Sequence, residues 1–295
     1  VTEPETWPRD AALIASSWMA EGQRPSAEAG PCPVPLERRL AAAVGAGFKG
    51  IGINRADYEA LVGEHGVAGL AAILRDSGIN MVELETLTGW WHEDPTGDIW
   101  RRPLDHMLEL PPLFPVHQIK INGDFTDKSP MHETMREGFA RLADRAASAG
   151  TVVGLEPVAF SNVRDAATAR KIVAMSTDKG GGVVLDNWHF ARGGLPPEDI
   201  GGLCAEGISG VEFSNVKPEI VGSLFEDTVD HRRLPDEGIY DTVAFIEAIA
   251  ATGYTGPVGC EVLSIALRAQ PLEEALRTAA AAARRVLNRA VKATP

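Results

Sequence analysis

Short apolar runs recur along the whole chain, and each is followed by a longer stretch with helical periodicity. The runs ALIAS around Ile14, KGIGI around Ile51, INMVELE around Val82, HQIKI around Ile119, TVVGLE around Val153, GVVLD around Val184, SGVEF around Val211 and PVGCEV around Gly259 read as strands. Their spacing of roughly 30 to 50 residues is that of a strand-plus-helix unit. Between them, Pro35-Leu36-Glu37-Arg38-Arg39-Leu40 opens a helix with proline near its first turn. Further helices are predicted over Val67 to Ser77, from about Met131 to Ala149, over Asp241 to Thr252, and from about Leu272 to Lys292. Gly78, Gly150 and Gly253 follow three of them, where a helix end favours a residue that tolerates positive φ.

Strict alternation of strand and helix implies a parallel sheet covered on both faces. Eight such units imply closure into a (β/α)8 TIM barrel, a single α/β domain over residues 1–295. The rival is an open doubly wound sheet, which would normally carry a GxGxxG turn after its first strand. The segment Ser16 to Pro35 has none, and Gly180-Gly181-Gly182 precedes its strand instead of following it. Two long strand-to-helix loops, Thr88 to Pro103 and Val216 to Gly238, fall on the C-terminal face, where barrel active sites are built.

Composition narrows the function. Against 28 Lys+Arg stand 41 Asp+Glu, a formal net charge of −13. That balance argues against a nucleic-acid partner and against an anionic membrane surface. Cys32, Cys204 and Cys260 are too scattered for a disulfide framework or a CxxC zinc site, and they read as small buried apolar groups. Val1 to Asp10 shows no basic stretch followed by an apolar one, and no apolar run approaches the roughly 20 residues that span a bilayer. A cytoplasmic protein is expected.

The strand ends sharpen this picture. Strand 5 ends at Glu156, strand 6 at Asp186, strand 7 carries Glu212 and strand 8 carries Glu261. A lone acid at a strand end is most often a helix cap or a surface group, and Asp186 can cap the turn that follows it. Recurrence over four adjacent units points instead to convergence at the barrel mouth. Four carboxylates cannot share a dry pocket without a cation, and oxygen donors suit Mg²⁺, Mn²⁺ or Ca²⁺. His189, three residues after Asp186, is a candidate partner for a substrate oxygen or a support for the metal site. Arg232 and Arg233 are candidates for binding an enolate or a hydroxyl. Trp90, Trp91 and Trp188 are candidate apolar walls for the substrate, and Lys120 on strand 4 is a candidate counter-charge and substrate contact.

The order GLEP, DNWH, a polar strand-7 residue, R-x-LP-x-EG and GYTGPVGCEV resembles the xylose isomerase-like TIM barrel superfamily. That group embraces sugar isomerases, ketose epimerases, inosose dehydratases and 3-dehydroshikimate dehydratases, with the AP endonuclease family 2 enzymes as distant relatives. The likeness is clearest from about Val152 to Ser264, and the segment EVLS with ALRAQPLEEA is similar to a sugar phosphate isomerase/epimerase-like subgroup. The resemblance implies that Glu156, Asp186 and Glu261 are metal ligands, that His189 contacts substrate, and that Arg232 is the arginine before the turn. Two departures stand out. Glu212 occupies the place of a fourth ligand that is usually histidine or glutamine, and Leu234-Pro235-Asp236-Glu237-Gly238 replaces a PGEG turn.

The resemblance implies a divalent metal, Mn²⁺ or Mg²⁺ foremost, with Zn²⁺ or Co²⁺ as alternatives. It implies a sugar, keto-sugar or polyol substrate, and self-association into a homo-oligomer is compatible with it. The leading expectation is an isomerase or epimerase that passes through an enediolate, with Glu156 and Glu261 as paired acid and base. The alternative is a lyase or dehydratase of the same fold, acting on an inosose-like ketone, a 3-dehydroshikimate-like acid or a 3-keto-glycoside. A nuclease of the endonuclease IV kind is disfavoured by seven histidines in all and the negative charge. A non-catalytic partner subunit is the remaining reading, supported by Glu212 alone.

Overall fold

The computed structural model describes residues 7–26, 29–126 and 132–290. Its inner ring is made of β1 (Leu13–Ala15), β2 (Gly50–Asn54), β3 (Met81–Leu87), β4 (Val116–Asn122), β5 (Val153–Glu156), β6 (Gly182–Asp186), β7 (Ile208–Phe213) and β8 (Val258–Cys260). Around and above the ring lie α1 (Ser17–Glu21), α2 (Leu36–Ala46), α3 (Arg55–Asp76), α4 (Arg101–Met107), α5 (His132–Ala149), α6 (Ala166–Val173), α7 (Asn187–Arg192), α8 (Leu224–Asp230), α9 (Thr242–Ala250), α10 (Ile265–Arg268) and α11 (Leu272–Arg289). Every strand pairs in parallel with the next. β8 pairs back onto β1 through Leu13–Val258, Ile14–Gly259 and Ala15–Cys260, so the sheet closes as a (β/α)8 barrel and leaves no edge.

The eight predicted strands are all present, and their alternation decides what faces where. Ile119 and Ile121, Val153 and Leu155, and Val183 and Leu185 join the buried core between strands and helices. The intervening positions, Gln118, Lys120, Asn122, Glu156 and Asp186, turn to the barrel interior and are buried there. A polar interior needs room. A Cβ on Gly259 would lie 2.8 Å from Glu212 Cγ, and one on Gly52 would lie 2.9 Å from Glu85 Oε1. Gly259 thus lets a long acidic side chain from the neighbouring strand lie across it, and Gly52 makes room for the Ser17 backbone, which approaches closer still, as well as for Glu85. Lower in the barrel, Gln118 Nε2 donates to Glu83 Oε1 at 2.9 Å, and burial pushes the Glu83 carboxyl up to about 7.

The helices differ from expectation in instructive places. The segment Val67 to Ser77 is the second half of α3, which already begins at Arg55 and bends at Gly66, where φ is 67°. Asn54 starts that helix by accepting a hydrogen bond from the Asp57 amide at 3.0 Å. The short helices α1, α4, α6, α7, α8 and α10 lack the length for a periodic signal; Asp165, Asp186 and Ser223 cap α6, α7 and α8, and α1, α4 and α10 have no side-chain cap at their N-termini. Met131 and Lys292, taken as helix boundaries above, lie outside the described residues. No helix among the described residues is long and apolar enough to cross a membrane.

One buried polar cluster ties the first two units together. Arg39 in α2 is 1% exposed, and its Nη2 lies 2.7 Å from Asp57 Oδ2. Glu21 in α1 accepts from the Asn54 amide and side chain, and Arg39 Nη1 stands 3.9 Å from it. Asp57→Ala leaves the guanidinium buried without its partner and should lower stability by about 3–5 kcal/mol in urea unfolding. Burial, with Asp57 adding repulsion, raises Glu21 to about 8, so the folded chain keeps a proton that the unfolded chain releases above about 4.5. The stability from this group is present below that lower value and is lost as pH rises toward 8. Glu21→Gln should therefore flatten the pH dependence of the urea midpoint over this interval, and an unchanged slope would contradict the assignment.

Candidate active site

The strand registers assemble the site. Asp186 on β6 pairs with Glu212 on β7, Glu212 is also level with Gly259 on β8, and Glu85 on β3 is level with Lys120 on β4. Glu261 follows directly on β8, and Glu156 ends β5 beside Asn122 of β4. One carboxylate oxygen each from Glu156, Asp186, Glu212 and Glu261 lies within 4.8 Å of all the others, and Glu156, Asp186 and His189 form an overlapping set. All five side chains are buried. The sequence-derived ligand set is thus brought together as a group, in a donor arrangement that can hold one divalent ion.

Each acid is held by specific donors. Asp186 does two things at once: Oδ1 caps α7 by accepting from the Trp188 amide at 2.9 Å, and Oδ2 accepts from Arg232 Nη1 at 2.7 Å. Glu156 Oε2 accepts from Asn122 Nδ2 at 2.8 Å, and its Oε1 lies 3.5 Å from His189 Nε2. Burial works to raise the Glu156 carboxyl, yet Lys120 and His189 outweigh it and hold the group at about 2. Glu261 Oε2 lies 3.0 Å from Arg232 Nη2, and Oε1 lies 3.4 Å from Lys120 Nζ. Burial raises the carboxyls of Glu261 and Glu212, the latter strongly, with Glu261 adding repulsion at Glu212.

The cations are equally confined. Lys120 Nζ stands 2.9 Å from both oxygens of Glu212, 2.8 Å from Glu85 Oε2 and 4.0 Å from Glu156 Oε2. Desolvation opposes its charge, but the surrounding Glu212, Glu261, Glu85 and Glu156 raise its pKa well above the usual lysine value. Arg232 is 3% exposed. Its amide donates to the Leu263 carbonyl at 3.1 Å, which stitches the β7 loop to the segment after β8. Its Nε and Nη2 donate to Thr228, so the planar fork has one orientation, aimed at Asp186 and Glu261. Arg233, the other candidate, points outward to Glu237.

His189 Nδ1 accepts from the Ala159 amide at 3.4 Å, which assigns the proton of the neutral ring to Nε2, facing Glu156. The tryptophans stand behind these groups. Trp188 is fully buried, with its ring 5.2 Å beneath the Arg232 guanidinium and edge-on to His189 at 5.0 Å. Trp90 is also fully buried, and its Nε1 donates to the Asn122 carbonyl at 2.8 Å. Trp91 packs edge-on against Trp90 and is 6% exposed.

Several residues escape a reading confined to strand ends. Glu85 sits within INMVELE, where Glu83 and Glu85 alternate on one face; Asn122 follows Lys120 on the same face of β4. Phe160 was not signalled at all. It lies 6.3 Å from His189 and joins Phe125 at 5.6 Å and Phe225 at 6.4 Å, so aromatic rings from the segments after β4 and β5 and from α8 line one side of the mouth. A groove of about 600 Å³ runs elsewhere, lined by Arg55, Tyr58, Glu59, Arg102 and His106, and it shares no residue with the carboxylate cluster.

The fold and this ring of strand-end acids define the class: a parallel eight-stranded α/β barrel with a cluster of buried acids at its C-terminal mouth. A family model described as xylose isomerase-like TIM barrel matches residues 40–286, and the chain belongs to that family. Among curated proteins it is 28% identical over 138 residues to a 3-dehydroshikimate dehydratase of Pseudomonas aeruginosa, which covers 46% of this chain and 22% of that protein. A 3-dehydroshikimate dehydratase of Pseudomonas putida is 26% identical over 134 residues, or 45% of this chain and 21% of that protein. The matches thus span about a fifth of the length of these curated relatives. Among solved structures, the IolI protein with a bound zinc atom superposes with a TM-score of 0.79 at 19% identity, over 96% of this chain and 100% of that one. The 3-keto-D-glucoside 4-epimerase YcjR from E. coli gives 0.65 at 17% identity, over 93% and 99%. At such identities the structures show the shared fold.

Arg232→Met would leave Asp186 and Glu261 buried without their guanidinium. It should lower stability by about 3–5 kcal/mol in urea unfolding, whereas a surface ion pair such as Arg233–Glu237 should contribute less than about 1 kcal/mol.

Proposed function

We propose that the protein is a divalent-cation-dependent enzyme that removes the proton α to the carbonyl of a small polyhydroxylated ketone. The observation that carries this reading is the convergence of four buried carboxylates, from four consecutive strand ends, within 4.8 Å. Glu156, Asp186, Glu212 and Glu261 would hold the cation, and the oxygen donor set favours Mn²⁺ or Mg²⁺. The zinc atom in the IolI structure keeps Zn²⁺ among the candidates. When bound, such an ion supplies Lewis-acid polarisation of the ketone and lowers the energy of the enediolate.

The protein's own groups divide the remaining work. Glu156 and Glu261 end strands separated by β6 and β7, so they approach a substrate from different sides. One takes the α-proton and the other delivers a proton, which gives isomerisation or epimerisation. His189 Nε2–H can donate to a substrate oxygen beside Glu156. Arg232 fixes Asp186 and Glu261 and lies where a hydroxyl or enolate oxygen would need a cation. Trp188 supports His189 and Arg232 from behind, Trp90 and Trp91 support the Asn122–Glu156 side, and Phe160 gives the mouth an apolar face for a sugar ring.

A second reading, elimination of a β-hydroxyl from the same enediolate, is favoured by the two dehydratase relatives. Proton NMR in D₂O with Mn²⁺-replete protein and a panel of keto-sugars, inososes and 3-dehydroshikimate separates the two. Deuterium at the α-carbon of recovered substrate or epimer supports the first, and an unsaturated product supports the second. Neither exchange nor elimination across the panel would contradict both. Glu156→Gln and Glu261→Gln should each lower kcat by at least about 100-fold with an unchanged far-UV spectrum. Near-normal turnover in either folded variant would remove that residue from the mechanism.

A further inference from the structure

The identity of the fourth strand-end donor poses a charge problem. Glu85, Glu156, Asp186, Glu212 and Glu261 are all buried at the mouth, with Lys120 and Arg232 as the buried cations among them. Arg232 serves Asp186 and Glu261. Asn122 and His189 serve Glu156. Glu212 receives the Lys120 ammonium on both oxygens at 2.9 Å, the geometry of a carboxylate ion pair, and the same Nζ stands farther from Glu261 Oε1, at 3.4 Å, and from Glu156 Oε2, at 4.0 Å. Lys120 is itself aimed: Glu85 Oε2 holds Nζ at 2.8 Å, while Glu85 Oε1 is fixed by the Ser17 amide at 3.1 Å, at the first turn of α1. A chain of contacts thus runs from the backbone of α1 through Glu85 and Lys120 to Glu212.

We propose that Lys120 and Glu212 act as one electrically neutral ligand unit. The ammonium cancels the extra charge that Glu212 brings, so a bound divalent ion meets the field of three carboxylates and one neutral donor. Glu85 is a positioning residue that keeps the ammonium on Glu212. The inference rests on the cation-binding reading above and deepens it by assigning Lys120 to the metal site's charge balance and Glu85 to the placement of that lysine.

The unit has a signature in cation affinity that is independent of turnover. Removing the anion alone leaves the ammonium facing the ion and weakens binding. Removing the ammonium alone leaves the extra carboxylate and strengthens it. Removing both preserves the net charge. The test is Mn²⁺ titration calorimetry on the metal-stripped protein and three variants, with circular dichroism to confirm the fold. Glu212→Gln should weaken Mn²⁺ binding by at least about 30-fold, and Lys120→Met should tighten it by at least about 10-fold. The double variant Lys120→Met/Glu212→Gln should return to within about fivefold of the parent, since the two opposite charge changes offset.

An unchanged or weaker affinity in folded Lys120→Met would overturn the inference, because Lys120 would then be a scaffold or a substrate contact. So would a double variant as weak as Glu212→Gln. If Lys120→Met fails to fold, the double variant decides by the same fivefold and 30-fold marks, and its own failure to fold would show that the pair cannot be replaced as a neutral unit. A parent protein that binds no Mn²⁺, Mg²⁺ or Zn²⁺ would instead refute the cation-binding reading itself, and the inference with it.

Discussion

Carboxylates that share a water-poor cavity repel one another, and each also resists leaving water. The mouth of this barrel is organised by how that cost is met. Arg232 bridges Asp186 and Glu261, Lys120 bridges Glu85 and Glu212, and Asn122 and His189 hold Glu156. These pairings fix the rotamers of the acids before anything binds. The contacts that make the charges tolerable in the folded state would also supply the preorganisation that the proposed reaction needs.

The barrel supplies this arrangement through register and space. Parallel pairing sets Asp186, Glu212 and Gly259 at one level, and strand alternation turns the acidic positions inward while their neighbours enter the helix-facing core. Gly259 is small because Glu212 lies across it, and Gly52 because the Ser17 backbone and then Glu85 close on it. The loop after β7 does comparable work from outside. Asn215 donates to the Tyr240 carbonyl at 3.0 Å and accepts from the Val216 amide at 2.8 Å, which anchors the turn that presents Arg232. A Cβ on Gly238 would strike the Val216 carbonyl at 2.5 Å, so the glycine retained in Leu234-Pro235-Asp236-Glu237-Gly238 is the one that packing requires.

Much of this was legible in the sequence because it depends on short-range pattern. Eight apolar runs marked eight strands, and the acids Glu156, Asp186, Glu212 and Glu261 were visible as strand-terminal interruptions of those runs. The parts that were not legible depend on pairing across the barrel. Glu85 looked like one polar position among several in β3, and only its register with Lys120 shows its place in the site. Lys120 read as a counter-charge or substrate contact, and its enclosure by several carboxylates appears only once β3, β7 and β8 are brought around β4. The tryptophans were visible as large loop aromatics, whereas their position behind His189, Arg232 and Asn122 follows from packing. The buried Arg39–Asp57 pair gave no signal, since each residue lies on a helix that would be expected to expose it.

In the proposed function, the strand-end carboxylates form a cation site around which proton transfers are arranged. Anomalous X-ray diffraction from crystals grown with saturating Mn²⁺ tests it most directly. One strong peak bounded by carboxylate oxygens of Glu156, Asp186, Glu212 and Glu261 is expected, with the Lys120 ammonium still held between Glu85 and Glu212. A mouth without a peak, with the Lys120 ammonium ordered among the acids at saturating metal, would contradict it and leave the lysine as the resident cation of the site.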